Sequence, residues 1–146
     1  MRFVTHAPSE TEALGERLGE RLTDGRVVAM FGGMGMGKTA FVRGLARGLG
    51  FEGEVSSPTF AIVHEYLGGR LPLYHFDMDR VESWGDLASC GFFDYLDLGG
   101  VLAVEWSEHI ERALPEDALR VEFHRAAAME DRAIDLLGIS LDGQPL

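Results

Sequence analysis

A glycine-rich segment at residues 32–39, which we call the glycine loop, carries the residue types that bind phosphate. Gly32 and Gly37 are separated by four residues and followed by Lys38 and Thr39, which matches G-x-x-x-x-G-K-[ST] in full. Glycine tolerates the backbone angles at which successive amide N–H groups converge on phosphate oxygens. The pattern places Lys38 at the terminal phosphates and the Thr39 hydroxyl on a Mg²⁺ ion. The loop therefore predicts that this protein binds a nucleoside triphosphate.

The segments on either side of the loop predict the strand and the helix that such a loop requires. Five apolar residues at 27–31 predict a buried parallel strand. After the loop, apolar residues recur at helical spacing until Gly50, namely Phe41, Val42, Leu45, Ala46 and Leu49. This order disfavours the alternative, a chance glycine-rich turn with a surface lysine. The helix start also adds partial positive charge for a phosphate.

Two acidic residues, Asp77 and Glu105, each end an apolar run that is typical of a strand. Phosphoanhydride hydrolysis requires a held metal ion and an aimed water molecule, and strand-end carboxylates can do both. The alternative for either carboxylate is an ion pair with Arg80 or Arg112, since an unpaired buried charge is costly. We expect at least one of the two to support the metal ion.

A proline-marked segment after the loop helix carries two hydroxyl groups, those of Ser57 and Thr59. GTPases place a switch threonine that senses the terminal phosphate in this part of the chain. Simple turn chemistry explains the same residues equally well. From the residues alone, both interpretations stay open.

Composition and charge restrict the class of protein. The 146 residues have 46% hydrophobic and 25% charged side chains and a single cysteine, Cys90, which is typical of a reducing, cytoplasmic location. No apolar run reaches the roughly 18 residues of a membrane helix, and no export signal is apparent. The net charge of −11 disfavours direct binding to a nucleic-acid backbone. We expect one domain, 1–146, that contacts RNA only through a partner.

The remaining elements are predicted from periodicity. Residues 2–5 predict an edge strand, and Ser9 with Glu12 predicts a capping box that opens a helix. Thr11, in the first turn of that helix, is expected to face solvent. The leucines that face the core are Leu14, Leu18 and Leu22.

The second half of the chain predicts strands around a helical segment. A β-hairpin is expected from two strands, 60–66 and 71–77, joined by a glycine turn. Residues 82–97 predict two short helices with aromatic side chains mostly in the core, and Ser107 is expected to cap another short helix. The remaining strands are expected at 101–105, 118–124 and 132–137. Together these elements predict an α/β fold with a mixed sheet.

Four motifs taken together resemble those of the bacterial TsaE (YjeE) family. In chain order they are G-G-M-G-M-G-K-T, V-S-S-P-T-F, Y-H-F-D-M-D-R and V-E-W, within about residues 11–132. The resemblance implies a P-loop NTPase-like three-layer fold with a mixed, mainly parallel central sheet. It also implies a small ATPase, with ATP and Mg²⁺ as cofactors, required for threonylcarbamoyladenosine formation on tRNA.

The resemblance further implies a set of site residues. Those for the nucleotide are Gly33, Met34, Gly35, Met36, Gly37, Lys38, Thr39, Ala40, Thr11, Ser57, Thr59 and Arg132. Those for the metal ion are Thr39, Asp77 and Glu105, and Lys38, Asp77 and Glu105 are implied in catalysis. Two motifs depart from the family pattern. The loop has Gly33 in place of an acidic residue and methionine at its two other variable positions, and Asp79 replaces a tyrosine in the later motif.

The partners are also implied by the resemblance. Such ATPases dock on a TsaB–TsaD-like pair that holds the tRNA, and ATP hydrolysis drives turnover or reset of that assembly. Two alternatives stay open, a P-loop small-molecule kinase and a nucleotide-gated binding module with incidental hydrolysis. The kinase requires an arginine-bearing lid, whereas the second half of this chain ends in a predicted hairpin. The sequence N-K-x-D is absent, which favours ATP over GTP.

Overall fold

A seven-stranded sheet forms the middle layer of the protein in a computed structural model, which describes residues 1–33, 35–55 and 63–138. The strands are β1 Arg2–Thr5, β2 Val27–Phe31, β3 Val63–Tyr66, β4 Leu73–Asp77, β5 Val101–Glu105, β6 Leu119–Arg125 and β7 Arg132–Leu137. They lie in the order β1-β7-β6-β2-β5-β4-β3. The central strands β6, β2, β5 and β4 are parallel, while β3, β7 and β1 pair antiparallel with their neighbours.

Helices cover both faces of this sheet. They are α1 Pro8–Arg21, α2 Lys38–Gly48, α3 Trp84–Ser89 and α4 Phe92–Leu98, with 3₁₀ turns at Ser107–His109 and Glu111–Ala113. Leucines of α1 and apolar residues of α2 pack with Val28 and Met30 of β2 in one core. Val27 of the same strand packs with Leu87 and Phe92 in the other core, because successive strand residues face opposite sides. This confirms the predicted three-layer α/β fold.

The hairpin that follows α2 is confirmed in its described part. Strands β3 and β4 pair antiparallel, with Val63 opposite Phe76 and Tyr66 opposite Leu73. The predicted beginning of the first strand, residues 60–62, lies outside the described residues. Within the described ranges, no helix is both long and apolar enough to span a membrane.

Helix α1 lies directly on α2 through glycines. A Cβ atom at Gly44 would sit 1.9 Å from the carbonyl oxygen of Glu12, and one at Gly15 would sit 2.2 Å from that of Phe41. Gly19 and Gly48 lie one turn further along the two helices and leave equally little room. The two backbones therefore touch, and no larger side chain fits between them.

The start of α1 differs from the prediction. The residue before the helix is Ala7, whose side chain cannot cap, and Pro8 occupies the first turn. Proline suits this position because its missing N–H has no partner in a helix start. Ser9 therefore lies inside the helix. The His6 N–H donates a hydrogen bond at 3.2 Å to the side chain of Glu10, four residues after His6. The predicted capping box of Ser9 and Glu12 is wrong.

The aromatic residues of α3 and α4 are less buried than predicted. Phe92 is fully buried, whereas Trp84 is 58% exposed and Phe93 38% exposed. The latter two rings stack on each other in solvent at 6.1 Å. Helices of six and seven residues have only one face against the sheet, so Trp84 and Phe93 remain outside. Ser107 also differs, since its buried hydroxyl donates to the Val104 carbonyl at 2.8 Å.

Candidate functional site

The glycine loop and the two predicted metal-supporting carboxylates lie at one edge of the sheet. The loop leaves the carboxyl end of β2, and β5 lies beside β2 in parallel. Strand β4 is parallel to β5, with Asp77 directly opposite Glu105 in the register. Because parallel strands end at the same edge, the fold brings together residues that are far apart in sequence.

The backbone of the loop has conformations that favour glycine. Gly32, Gly35 and Gly37 have φ values of 136°, 75° and 94°, a region in which a Cβ atom is strained. Gly33 is exposed, and a Cβ atom placed on it would meet nothing within 4 Å. Met34 lies outside the described residues. The loop is therefore shaped by glycine and open to a ligand on the side of Gly33.

Two further residues expected at the nucleotide, Met36 and Ala40, are buried. Met36 belongs to the core shared by α1 and α2. Ala40 lies in the first turn of α2, immediately after Thr39, which is half-buried. These side chains anchor the loop and the helix start, so a nucleotide would contact them through backbone N–H groups.

Lys38 is buried at the start of α2. Its Nζ donates a hydrogen bond to the Gly32 carbonyl at 2.7 Å and lies 4.3 Å from the centre of the Trp106 ring. Burial lowers the pKa of Lys38 from its ordinary value, and the negative charge of Glu105 opposes that shift most. The Lys38 side chain therefore links the start of α2 to the beginning of the glycine loop. A phosphate would offer its ammonium group a stronger acceptor than the Gly32 carbonyl.

Glu105 forms a buried pair with a histidine rather than an ion pair with Arg112. The Nε2 atom of His75 lies 2.5 Å from Oε2 of Glu105, and both side chains are buried. His75 comes from β4 and Glu105 from β5, 30 residues apart in sequence. The hydrogen bond fixes the orientation of this carboxylate at the sheet edge.

Asp77 is half-buried and accepts the Asp79 N–H at 2.9 Å. Burial raises the pKa of Asp77 above its ordinary value, and the nearby charge of Glu105 raises it further. A cation placed between the two carboxylates would relieve that repulsion. These two carboxylates and the Thr39 hydroxyl are hard oxygen donors, the type of ligand that Mg²⁺ prefers.

Thr11 is buried against the glycine loop, and the expectation that it faces solvent is wrong. Its Oγ1 lies 2.7 Å from Oγ1 of Thr5, and it is 2% exposed. Its Cγ2 would be 3.6 Å from a Cβ atom on Gly37. The close contact of α1 with α2 carries Thr11 to the loop, where the family resemblance implied a nucleotide contact.

Arg132 also reaches the loop from a distant element. One terminal nitrogen donates to the Gly35 carbonyl at 3.0 Å, and the other donates to the Met129 and Asp131 carbonyls. Its Nε is buried without a hydrogen-bond partner among the described residues. The closing hairpin is thereby tied to the loop.

Two residues of this site were missed in the sequence interpretation. Glu108 accepts the Gly32 N–H at 3.0 Å with Oε2, and His75 holds Glu105. Glu108 follows Glu105 by three residues, a spacing at which a tight turn returns a side chain to the same edge. Ser57 and Thr59 lie outside the described residues, so their switch role stays a prediction.

A second group of possible metal ligands lies on the open face of β6 and β7. Glu122, His124 and Asp135 have ligand atoms within 4.8 Å of one another. Arg2 donates to both oxygens of Asp135, at 2.7 and 2.8 Å, and Arg120 lies 3.5 Å from Glu122. These arginines already balance the two carboxylates, so the group is better explained as a surface ion-pair network.

The sequence also matches a known family. A sequence model of the family described as threonylcarbamoyl adenosine biosynthesis protein TsaE matches residues 5–134. The chain belongs to the TsaE family. The matched range includes every part of the candidate site, from Thr11 to Arg132.

Relatives and a solved structure cover most of the chain. A protein of Bacillus subtilis named tRNA threonylcarbamoyladenosine biosynthesis protein TsaE is 39% identical over 126 residues, which are 86% of this chain and 78% of that protein. One of the same name from Treponema pallidum is 40% identical over 116 residues, covering 80% and 85%. The crystal structure of Bacillus subtilis YdiB superposes with a TM-score of 0.78 and 35% identity, over 92% of this chain and 82% of that one.

Proposed function

We propose that this TsaE-family chain is a magnesium-dependent ATPase that supports N6-threonylcarbamoyladenosine formation on tRNA by docking on and resetting a TsaB–TsaD-like complex. The proposal rests mainly on one observation: Lys38, Asp77 and Glu105 lie close together beside the glycine loop. The family match and the printed names of the relatives supply the pathway.

Each group has a role that its position supports. The loop amides and Lys38 bind the phosphates of ATP, and the start of α2 favours their negative charge. Thr39, Asp77 and Glu105 hold Mg²⁺, which neutralises charge on the phosphate oxygens when it is bound. Glu105 also orients the attacking water through the carboxylate oxygen that His75 leaves available. Thr11 and Arg132 border the nucleotide site at Gly37 and Gly35.

The partner complex holds the tRNA, because the net charge of −11 disfavours a direct contact with RNA. Hydrolysis by the isolated chain is slow. Arg132, which reaches the loop, is engaged by three backbone carbonyls and offers no mobile guanidinium to the transferred phosphoryl group. Docking on the partners therefore speeds hydrolysis or completes the site.

The decisive experiment reconstitutes tRNA modification from purified TsaB–TsaD-like partners with and without this chain. With the chain present, product exceeds one equivalent per partner complex; without it, modification stops near a single turnover. The Lys38→Ala variant, which lacks the phosphate-binding ammonium, behaves like omission of the chain and has lost ATP affinity. Equal multiple-turnover modification without the chain contradicts the proposed role.

The Glu105→Gln variant separates an ATPase from a module that only binds nucleotide. The amide keeps the size of the side chain and removes the charge that supports the metal ion and the water. We expect Mg²⁺–ATP binding to persist while hydrolysis falls about a hundredfold. An unchanged hydrolysis rate removes Glu105 from the mechanism and favours incidental hydrolysis.

A further inference from the structure

His75 is a fully buried polar residue to which the proposed mechanism gives no chemical step. It lies in the middle of β4 with an exposure of 0%, and its ring packs 6.5 Å from that of Tyr66. Its direct neighbour on β5 is Ala103, which is small. The ring can therefore reach past position 103 to Glu105, the next residue on the same face of β5.

In the hydrogen bond between these two side chains, His75 is the donor and Glu105 the acceptor. An ionised carboxylate can only accept, so the ring donates from Nε2 to Oε2 of Glu105. The Nδ1 atom is buried and has no hydrogen-bond partner among residues 1–33, 35–55 and 63–138. No other described residue bonds to the Glu105 carboxylate. The ring thus holds Oε2, while Oε1 accepts no hydrogen bond from the described residues.

The Glu105 carboxylate has an alternative partner close by, the ammonium group of Lys38. Lys38 lies against the ring of Trp106, the residue that follows Glu105. If Glu105 were released, its carboxylate could turn to the lysine ammonium and form an ion pair. That pair would withdraw Lys38 from the phosphates and Glu105 from the metal ion at the same time.

We propose that His75 is a positioning residue for ATP hydrolysis: it holds Oε2 of Glu105, directs Oε1 to the metal ion and water, and keeps the carboxylate away from Lys38. The inference rests on the proposed ATPase function and adds a residue to it. It assigns His75 no proton transfer and no contact with ATP.

The experiment compares two amide replacements of the ring. In His75→Gln the amide nitrogen can reach the position of Nε2, whereas in His75→Asn it reaches only the position of Nδ1. We expect His75→Asn to lower kcat about tenfold or more, with the Kd for ATP within about twofold of wild type. His75→Gln restores kcat to within about threefold, because it again donates to Glu105. A merely space-filling role would not distinguish the two variants in this way.

A double-mutant cycle with Glu105→Gln tests whether His75 acts through that residue. If it does, adding His75→Asn to Glu105→Gln lowers kcat no further. The inference is overturned if the double variant loses kcat by the product of the two single losses. A wild-type kcat for His75→Asn would overturn it as well. Thermal unfolding of all variants identifies any loss of rate that comes from loss of fold.

A readout without hydrolysis separates this inference from the proposed function. In the wild-type protein, long-range ¹H–¹⁵N correlations of the histidine rings should show His75 as the Nε2–H tautomer with a strongly downfield proton. Glu105→Gln should move that signal. An Nδ1–H tautomer, or a signal unaffected by Glu105→Gln, overturns the pair even if ATP is hydrolysed. Absence of ATP hydrolysis with partners present refutes the ATPase function and leaves this measurement valid.

Discussion

The two helical layers of this protein are packed in different ways. On one face, α1 lies on α2 backbone to backbone, because Gly15, Gly19, Gly44 and Gly48 leave no room for side chains. On the other face, α3 and α4 are short and contact the sheet mainly through buried side chains such as Leu87 and Phe92.

This difference indicates which helix contacts hold the candidate site in place. Helix α2 starts at Lys38 and continues the glycine loop, so any shift of α2 shifts the loop amides. Glycine contacts with α1 prevent that shift and also deliver Thr11 to Gly37. The α3–α4 layer carries none of the predicted site residues, and its stacked pair, Trp84 and Phe93, faces solvent. Of the two helical layers, the tightly packed one is therefore the layer that supports the glycine loop.

The largest effect is expected from Gly44→Ala on the tightly packed face. The new methyl group would lie 1.9 Å from the Glu12 carbonyl oxygen, so the helices must separate. We expect a loss of at least about 4 kcal/mol in the free energy of unfolding, measured by urea denaturation.

The matched control is Gly85→Ala in α3, where the nearest atom to a new Cβ is the Ser83 Oγ at 3.6 Å. This change should leave the free energy of unfolding unchanged or raise it by up to about 1 kcal/mol, because alanine is the better helix former. Similar losses for the two alanine variants would show that the two layers are packed alike.

The next effect tests the looser layer itself. Phe92→Ala removes a fully buried ring that packs against Phe76 at 5.6 Å and should cost about 3 kcal/mol. Phe93→Ala, at the adjacent residue, removes a ring that is 38% exposed and should cost about 1 kcal/mol or less. The same urea experiment measures both, and equal losses would mean that the solvent-exposed stack stabilises α3 and α4 as much as the core does.

The smallest effect on stability concerns the charge at the sheet edge. Burial raises the pKa of Asp77 in the folded protein above its ordinary value. Below the ordinary pKa the carboxyl is protonated in both the folded and the unfolded state, and its charge costs no stability. As the pH rises through the raised pKa, the carboxylate must ionise in a buried position, so the free energy of unfolding falls. Asp77→Asn cannot ionise and still accepts the Asp79 N–H. Its melting temperature should exceed that of wild type at pH 7, and the difference should shrink towards pH 4.

Activity provides the second arm of that test, because Mg²⁺-dependent hydrolysis should fall in Asp77→Asn. A variant that is more stable and less active would show that the charge is kept for function. A lower melting temperature at pH 7 would contradict the assigned cause of the pKa shift.

Local patterns in the sequence were sufficient for most elements. The strand at 27–31, helix α2 and the paired strands β6 and β7 were predicted because their apolar periodicity reflects their own burial. Predictions at single helix positions were less successful. Ser9 lies within α1 rather than at its cap, and Thr11 is buried, because Pro8 and the contact with α2 decide those positions.

The sequence by itself determined that the loop is built from glycines with a lysine and a threonine at its end, since that pattern is local. Only the tertiary structure decided which groups surround it. Arg132 meets Gly35 across 97 residues, Glu108 meets Gly32 across 76, and His75 meets Glu105 across 30. The parallel register of β4, β5 and β2 makes two of these meetings possible, and the closing hairpin makes the other. Strand order is a property of the whole sheet, so no single segment of the sequence contains it.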